Sequence, residues 1–286
     1  MARILDGARL ARTLNQQRVK PQAAALPRPP GLAVVMVGDD PASHVYVNRK
    51  GVVAGRLGFA HRQITRPGST TQAELLDIVD RLNADPAIDG VLIQSPLPRA
   101  IDATAVYDRV DPAKDVDGFH PVNVGLVAQG RDGFVPCTPL GVMRLLAHGE
   151  VPLAGREAVV IGRSNIVGRP MARLLEQANC TVTVCHSRTA DLEAHVRRAE
   201  VLVVAVGRPR VIPGAWIREG AAVIDVGVNR LDDGSLCGDV DYDGATERAG
   251  WITPVPRGVG PMTIAMLMEN TLRSAARRQG VNISLG

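Results

Sequence analysis

Two side chains near residue 50 have the types and the spacing for acid–base chemistry. Tyr46 and Lys50 are four residues apart within a predicted helix, so they lie on one helical face. A tyrosine hydroxyl can orient a neighbouring ammonium group, and burial lowers the pKa of a lysine toward the range where it exchanges protons. A solvated lysine beside a half-buried tyrosine has the same spacing and is the more common arrangement.

Two further polar residues are candidates for the same site. Gln94 ends a buried apolar run at 88–95, and ligands of open α/β sheets bind outside the carboxyl ends of the strands. The helix that carries Lys50 follows another such run, at 32–38, so Gln94 and that helix are expected to face one crevice. Asp117 lies in a glycine-bounded loop, most often a simple turn, whose carboxylate could accept two N–H donors from a heterocycle.

A nucleotide site is suggested by V-V-I-G-R-S-N-I-V-G-R-P at 159–170. A strand end, a glycine-rich turn and a helix start can together bind a phosphate. The spacing is not G-x-G-x-x-G and also fits an ordinary strand-to-helix turn. The next strand, at 181–186, is followed by Ser187 and Arg188, with no acid to bind a ribose 2′-hydroxyl. Together with Arg163, they favour a 2′-phosphate, and hence NADP rather than NAD.

Composition narrows the function classes. The 286 residues, 45% of them apolar and 22% charged, suffice for two folded domains and exclude disorder. Aromatic residues make up only 3%, which argues against binding of nucleic acid. The four cysteines lack the spacing of metal ligands and indicate reduced thiols of a cytoplasmic protein without a metal site. No signal peptide and no membrane segment are expected.

Apolar periodicity predicts alternating elements. Asp40 and Pro41 mark a helix start, and Pro21 marks a helix end. Helices are predicted at 7–20, 41–57, 71–83, 138–147, 170–177, 190–199 and 262–277. Strands are predicted at 32–38, 59–65, 88–95, 157–162, 181–186, 201–207, 221–227 and 251–254. This order is typical of α/β domains with doubly wound parallel sheets.

Eight motifs in order over nearly the whole chain resemble the bifunctional methylenetetrahydrofolate dehydrogenase/cyclohydrolase family. Each motif alone is weak, but the ordered set is highly specific, and it favours the catalytic interpretation of Tyr46 and Lys50 over the solvated one. The motifs are P-A-S-H-V-Y-V-N-R-K (41–50), Q-S-P-L-P (94–98), K-D-V-D-G-F (114–119), P-C-T-P (136–139), G-R-S-N-I-V-G-R-P (162–170), D-V-G-V-N (225–229), G-D-V (238–240) and T-P-V-P-x-G-V-G-P-M-T (253–263).

The resemblance implies a fold and two reactions. A folate-binding and catalytic α/β domain (1–119), to which a C-terminal helix (263–286) returns, is joined to a Rossmann-like NADP-binding domain (120–262) across a cleft. NADP⁺ oxidises 5,10-methylenetetrahydrofolate, and the resulting methenyl cation is hydrolysed to 10-formyltetrahydrofolate, a one-carbon donor for purine biosynthesis. The resemblance also implies a homodimer and substrates with or without a polyglutamate tail.

The same resemblance implies roles for individual residues. Lys50 is the acid–base candidate, oriented by Tyr46 and tuned by Gln94, and Asp117 anchors the pterin ring. The catalytic set is Tyr46, Lys50, Gln94 and Asp117. The substrate-binding set is Ser43, Tyr46, Asp117 and Pro261. The cofactor-binding set is Gly162, Arg163, Ser164, Ile166, Gly168, Ser187, Arg188 and Val228.

One residue departs from the family pattern. The family's loop usually reads V-P-G-G-V-G, whereas this chain has Arg257 at the first of those glycines. If that position needs a positive φ, Arg257 costs strain or blocks a ligand; if it does not, Arg257 adds a cation near anionic ligands. We therefore expect altered affinity for folate or NADP.

Three other functions are alternatives to the bifunctional enzyme. They are a dehydrogenase without hydrolysis, a catalytically silent folate- or nucleotide-binding paralogue, and a shikimate-type dehydrogenase.

Overall fold

The computed structural model describes residues 2–284 and has the alternation expected of an α/β protein. The helices are α1 (Gly7–Leu14), α2 (Lys20–Ala24), α3 (Pro41–Arg56), α4 (Gln72–Ala84), α5 (Ala103–Arg109), α6 (Pro121–Ala128), α7 (Cys137–His148), α8 (Gly168–Gln177), α9 (Leu192–Arg198), α10 (Tyr242–Arg248) and α11 (Val259–Arg278). The strands are β1 (Arg3–Ile4), β2 (Gly31–Val37), β3 (Ala60–Arg66), β4 (Gly90–Ile93), β5 (Glu157–Ile161), β6 (Thr181–Cys185), β7 (Val201–Val204), β8 (Ala222–Asp225), β9 (Asn229–Arg230), β10 (Leu236–Cys237) and β11 (Trp251–Ile252).

The chain divides into two compact units, which confirms the predicted two-domain α/β class. The first unit comprises residues 13–137 and 264–284, and the second comprises residues 2–12 and 138–263. Most of helix α11 therefore belongs to the first unit, as the resemblance implied. Within the described residues, no helix has both the length and the apolarity needed to cross a membrane.

The first unit is built on a parallel sheet in the order β3-β2-β4. All seven residues of β2 are buried, which explains their continuous apolar sequence: helices cover both faces of such a strand. On one face Ala33, Val35 and Val37 join a core with Leu75 and Val79 of α4. This packing fixes α4 against the sheet.

The second unit contains a six-stranded parallel sheet in the order β1-β11-β8-β7-β5-β6. The strands in its centre are almost wholly buried, as expected for a doubly wound sheet. A two-stranded antiparallel hairpin, β9 and β10, follows β8. Because the six strands are parallel, the loops after β5, β6, β7 and β8 all emerge at one edge of the sheet.

The predicted domain boundaries differ from this division at two places. Residues 2–12 belong to the second unit because β1 pairs with β11, where Arg3 N–H donates to Gly250 O at 2.8 Å. Residues 120–137 belong to the first unit because Asn123 receives the N–H of Phe134 at 3.1 Å and donates to Asp115 at 2.9 Å. The first contact joins residues far apart in the sequence and the second consists of side-chain hydrogen bonds, so local patterns reveal neither.

The prediction that Pro21 ends the first helix is wrong. A wider π-helical turn, Asn15–Val19, continues α1 into α2, and Pro21 lies in the first turn of α2. The missing proline N–H is tolerated in a first turn. The predictions of Asp40 as N-cap and Pro41 as first residue of α3 are confirmed, since the Asp40 carboxylate accepts the N–H of Ser43 at 2.8 Å.

A buried ion pair holds part of the first unit together. The Asp89 side chain is 0% exposed, and both of its oxygens lie 2.6 Å from the guanidinium nitrogens of Arg28. The same carboxylate accepts the N–H of Gly31 at 2.9 Å and lies 3.3 Å from Arg278 of α11. The start of β2 and the end of α11 therefore share one carboxylate.

We expect Asp89→Ala to lower the free energy of unfolding by about 2–3 kcal/mol, because it leaves the buried N–H of Gly31 without an acceptor and removes the carboxylate that pairs with two partly exposed guanidinium groups. Urea unfolding followed by circular dichroism measures this loss. Asp80→Ala is the matched control: it removes an ion pair with Arg109 in which both side chains are about half exposed, so it should change little. Equal stability of the two variants would contradict this account.

Candidate active site

Lys50 and Gln94 meet at the carboxyl edge of the first unit's sheet. Gln94 directly follows β4, and Lys50 lies in the middle of α3, which follows the neighbouring strand β2. Lys50 is only 7% exposed, and its Nζ donates to Gln94 Oε1 at 2.8 Å. Burial lowers the pKa of Lys50, although the negative charge of Asp117 opposes that effect. A buried amine with one oriented acceptor is suited to proton transfer.

The two other predicted residues of α3 occupy different positions. Ser43 is buried in the first turn, where its Oγ donates to Asp40 Oδ2 at 2.7 Å and lies 3.4 Å from Ser95 O. Tyr46 is half-buried one turn before Lys50. In the part of the chain that the structure describes, no hydrogen bond joins Tyr46 to Lys50, so the orienting contact comes from Gln94 instead.

Asp117 is half-buried and interacts electrostatically with Lys50. Burial raises the pKa of Asp117 to about 6, and the positive charge of Lys50 and a hydrogen bond with Cys137 only partly offset this. The Cys137 thiol is buried in the same place, and burial together with the Asp117 charge raises its pKa well above the usual range. The structure thus brings Lys50, Gln94 and Asp117 together with a thiol to which the sequence interpretation gave no functional role.

The loop that carries Asp117 is held by its own neighbours. The Asp115 carboxylate accepts the N–H groups of Gly118, Phe119 and His120 at 3.1, 3.2 and 2.8 Å. Lys114 is fully buried, and its Nζ donates to three backbone carbonyls at the end of α4, at 2.7–2.9 Å. The two charged residues beside Asp117 are therefore structural, and they fix where Asp117 points.

Asn270 of α11 completes the support of this loop. Its Nδ2 donates to Val116 O at 2.9 Å and to Val135 O at 3.0 Å. The Cys137 thiol also donates to Val116 O, at 3.3 Å. The sequence interpretation gave Asn270 no role, so this polar contact was missed; an asparagine among the apolar residues of the predicted helix was its only signal.

In the second unit, most of the predicted cofactor residues are exposed at the carboxyl edge of the sheet, whereas Gly162 and Gly168 are buried in the turn after β5. Arg163 follows β5, Ser187 and Arg188 follow β6, and all three side chains are exposed. Ile166 and Val228 are 39% and 44% exposed near the same edge, after β5 and β8. The edge therefore offers two cations, a hydroxyl and two apolar side chains, and no acidic residue occurs at 186–188.

The glycine-rich turn is tighter than its sequence suggested. A side chain at Gly162 would approach Ala205 O to 2.4 Å, and one at Gly168 would approach Gly162 O to 2.1 Å. Helix α8 begins at Gly168, two residues before the predicted start. The Ser164 hydroxyl accepts the N–H groups of Val167 and Gly168 at 3.2 and 3.5 Å, so this side chain partly caps the expected phosphate-binding helix end.

Asp239, which the sequence interpretation left without a role, is fully buried and organises two loops at that edge. Its carboxylate accepts the N–H groups of Val206, Gly207 and Arg208 at 2.7–3.0 Å and the side chain of Asn229 at 2.9 Å. It thereby fixes the segments after β7 and β8.

Asp225 braces Asp239 in turn. Its carboxylate accepts the N–H groups of Gly227, Asp239 and Val240 at 2.8–3.0 Å. Burial raises the pKa of Asp225 to about 6, and the nearby charge of Asp239 adds to the effect. The two carboxylates explain the motifs D-V-G-V-N and G-D-V, and they hold the segment that presents Val228. Within the described residues, no group of histidine, cysteine or acidic side chains could hold a metal ion.

Two family models match the chain. Residues 136–279 match "Tetrahydrofolate dehydrogenase/cyclohydrolase, NAD(P)-binding domain", and residues 5–117 match "Tetrahydrofolate dehydrogenase/cyclohydrolase, catalytic domain". Together the models span nearly the whole sequence, in the order that the motifs predicted.

Individual relatives are similar over almost their full lengths. Bifunctional protein FolD of Acidiphilium cryptum is 57% identical over 97% of this chain and 99% of its own. The bifunctional FolD of Campylobacter jejuni has a solved structure with a TM-score of 0.95, at 44% identity over 97% of this chain and 100% of its own. The Trypanosoma brucei FolD, solved with NADP cofactor and inhibitor, has a TM-score of 0.93 at 39% identity, covering 96% and 98%.

The backbone conformation of the loop before α11 makes arginine unfavourable at position 257. Its φ is +87°, so this position does require the left-handed conformation that favours glycine. The Arg257 carbonyl accepts the N–H of Ala8 at 2.9 Å, and its guanidinium donates to Asp6 Oδ2 at 3.1 Å. Pro261, which the resemblance assigned to substrate binding, lies half-buried in the first turn of α11.

We expect Arg257→Gly to be about 1 kcal/mol more stable than Arg257→Ala, because both variants lose the exposed ion pair and only glycine relieves the strain. Urea unfolding of the two variants measures the difference, and equal stability would contradict the strain.

The Michaelis constants for folate and NADP⁺, compared between the native protein and Arg257→Gly, test whether Arg257 alters ligand affinity; unchanged constants would refute that hypothesis.

Proposed function

Because the chain belongs to the tetrahydrofolate dehydrogenase/cyclohydrolase family, we propose that it oxidises 5,10-methylenetetrahydrofolate with NADP⁺ and hydrolyses the resulting 5,10-methenyltetrahydrofolate to 10-formyltetrahydrofolate. The observation that carries this proposal is the buried Lys50 amine, held at 2.8 Å by Gln94 beside Asp117. Hydrolysis needs a group that exchanges protons, and this arrangement supplies one.

Lys50 serves the hydrolytic step. Water adds to the methenyl carbon and loses one proton to the neutral amine, which leaves a neutral carbinolamine. The resulting ammonium donates that proton to N5 as the bond between N5 and the carbon breaks. The hydroxyl group releases its remaining proton to solvent as the formyl C=O bond forms. The low-dielectric surroundings that lower the pKa of Lys50 make the neutral form accessible, while Gln94 Oε1 stabilises and orients the ammonium.

Asp117 anchors the substrate. The two oxygens of an ionised carboxylate match the N3–H and 2-amino donors of a pterin ring. Asp115 and Lys114 keep the loop in place, so the pterin binds in one orientation relative to Lys50. Ser43 and Tyr46 lie on α3, the helix that carries Lys50, and are proposed as further substrate contacts. Pro261, in the first turn of α11, is proposed as another.

The second unit fits NADP. Arg163, Ser187 and Arg188 are exposed at one sheet edge and suit a 2′-phosphate, and exposed Ile166 and Val228 suit the faces of flat rings. Bound there, the nicotinamide supplies a hydride acceptor. The tight turn from Gly162 to Gly168, which Ser164 caps, forms part of this edge. The Asp239 carboxylate holds together the two loops that follow β7 and β8, the second of which carries Val228.

Four finer features belong to the same proposal. The protein acts in the cytoplasm, in one-carbon metabolism that feeds purine biosynthesis, and the net charge of +4 suits polyglutamylated folate. It forms a homodimer, which the open edge of the second unit's sheet favours: β6 is the outermost strand, and its Val184 is 39% exposed. The alternatives of a dehydrogenase alone or a silent paralogue gain no support, because relatives of nearly equal length are bifunctional.

We expect Lys50→Met to lower hydrolysis at least about 100-fold, because it removes the proton carrier, and to leave NADPH formation largely intact. A two-wavelength assay with 5,10-methylenetetrahydrofolate and NADP⁺ follows NADPH and the methenyl intermediate together. The intermediate should accumulate only in the variant.

Lys20→Met removes an exposed lysine of α2 and is the matched control. The role of Lys50 is refuted if hydrolysis survives in Lys50→Met. The proposed function itself fails if the native protein forms no NADPH with either NADP⁺ or NAD⁺.

Folate binding should weaken below about pH 6. The raised pKa means that Asp117 gains a proton as the pH falls through about 6, and the neutral acid no longer accepts both pterin donors. The dissociation constant of tetrahydrofolate, measured by calorimetry without oxygen, should be constant above pH 7 and rise by up to about tenfold per pH unit below 6.

Because the pKa of Asp225 is also raised to about 6, a variant is needed to assign the pH dependence to Asp117. Asp117→Asn should bind tetrahydrofolate weakly at every pH. A level constant in the native protein would contradict the role of Asp117.

A further inference from the structure

Tyr107 lies beside the candidate active site and has no role in the account above. It is half-buried on α5, and its Oη lies 2.6 Å from the Oγ of Ser95. Its ring meets the ring of Phe119 edge-on, with centroids 5.4 Å apart at 71°. Ser95 directly follows Gln94, and Phe119 follows Asp117 by two residues. One side chain thus contacts both segments that carry polar groups of the site.

Ser95 links the Tyr107 hydroxyl to the Gln94 amide. The Ser95 carbonyl accepts from Gln94 Nε2 at 2.7 Å, while Gln94 Oε1 accepts from Lys50 at 2.8 Å. The amide orientation is determined, because the Ser95 carbonyl can only accept: Nε2 must face that carbonyl, which leaves Oε1 to face the Lys50 amine. Any movement of Ser95 therefore turns the oxygen that holds Lys50.

We propose that Tyr107 is a positioning residue for hydrolysis: by holding Ser95, it fixes the Gln94 amide and, through that amide, the Lys50 amine. The proposal rests on the proposed role of Lys50. The edge-on contact with Phe119 keeps the Tyr107 ring in place, so that the hydroxyl has little freedom to leave Ser95. Burial raises the pKa of Tyr107, so the hydroxyl stays protonated over the working pH range.

Tyr107→Phe tests the proposal, because it keeps the ring contact and removes only Oη. We expect kcat of methenyltetrahydrofolate hydrolysis to fall about three- to tenfold, the size of effect typical for one hydrogen bond, with KM within twofold. NADPH formation should change less than hydrolysis, since it does not use the Lys50 proton.

The pH dependence of hydrolysis gives a second readout, because a variant that only disturbed packing would lower the rate without shifting this dependence. A less ordered Gln94 stabilises the Lys50 ammonium less, so the acidic limb of the hydrolysis profile should shift to lower pH. The other groups that face Lys50 are Asp117, Cys137 and, on its own helix, Tyr46; none of them is altered in the variant.

Two comparison variants sharpen the test. Tyr242→Phe makes the same substitution on α10, at a residue 36% exposed in the second unit, and should leave both activities unchanged. Ser95→Ala should reproduce the loss, and the double variant should lose no more than Ser95→Ala alone. The proposal is overturned if Tyr107→Phe keeps the native ratio of the two activities and the native pH limb, or if both activities fall equally. Lys50→Met, made with Tyr107 intact, tests the proposed function separately.

Discussion

The site depends on one hydrogen bond, from the Lys50 amine to Gln94 Oε1. In a buried position an amine without an acceptor would lose its charge altogether, and a fully solvated amine would keep it. The single acceptor places Lys50 between these limits. Because the acceptor is a neutral amide rather than a carboxylate, the ammonium is stabilised only modestly, and the proton remains transferable.

The two units support their sites in the same way. In each, a buried carboxylate collects backbone N–H groups from a loop at the carboxyl end of a parallel sheet: Asp115 in the first unit and Asp239 in the second. Such a carboxylate replaces the regular backbone bonding that a loop lacks. Asp117 and Val228, the residues proposed to bind ligands, follow or adjoin these braced segments. Buried acids thus hold the loops, and other residues on the same loops are proposed to contact the ligands.

Local sequence rules predicted that Lys50 and Gln94 lie close together, because those rules depend only on the order of elements along the chain. Gln94 and Lys50 both come after buried apolar runs, and the rule that ligands bind at carboxyl ends placed them together. The same rules missed what depends on distant partners. Strand β1 exists only because β11 pairs with it, and Asp115 and Asp117 are indistinguishable by spacing until their partners are known. Tyr107 is an ordinary helical residue in sequence, and only the fold brings it to Ser95.

The most direct measurement is the pKa of Lys50 itself. Protein labelled with ¹³C at the lysine side chains is titrated by nuclear magnetic resonance, and the Lys50 signal is identified by its absence from Lys50→Met. The account predicts that the pKa of Lys50 in the native protein lies below the ordinary lysine value of about 10.4. In Asp117→Asn the pKa should be lower still, because the negative charge that favours the ammonium is gone. A pKa at the ordinary value in the native protein would mean that Lys50 is a permanent cation and would contradict its role as proton carrier.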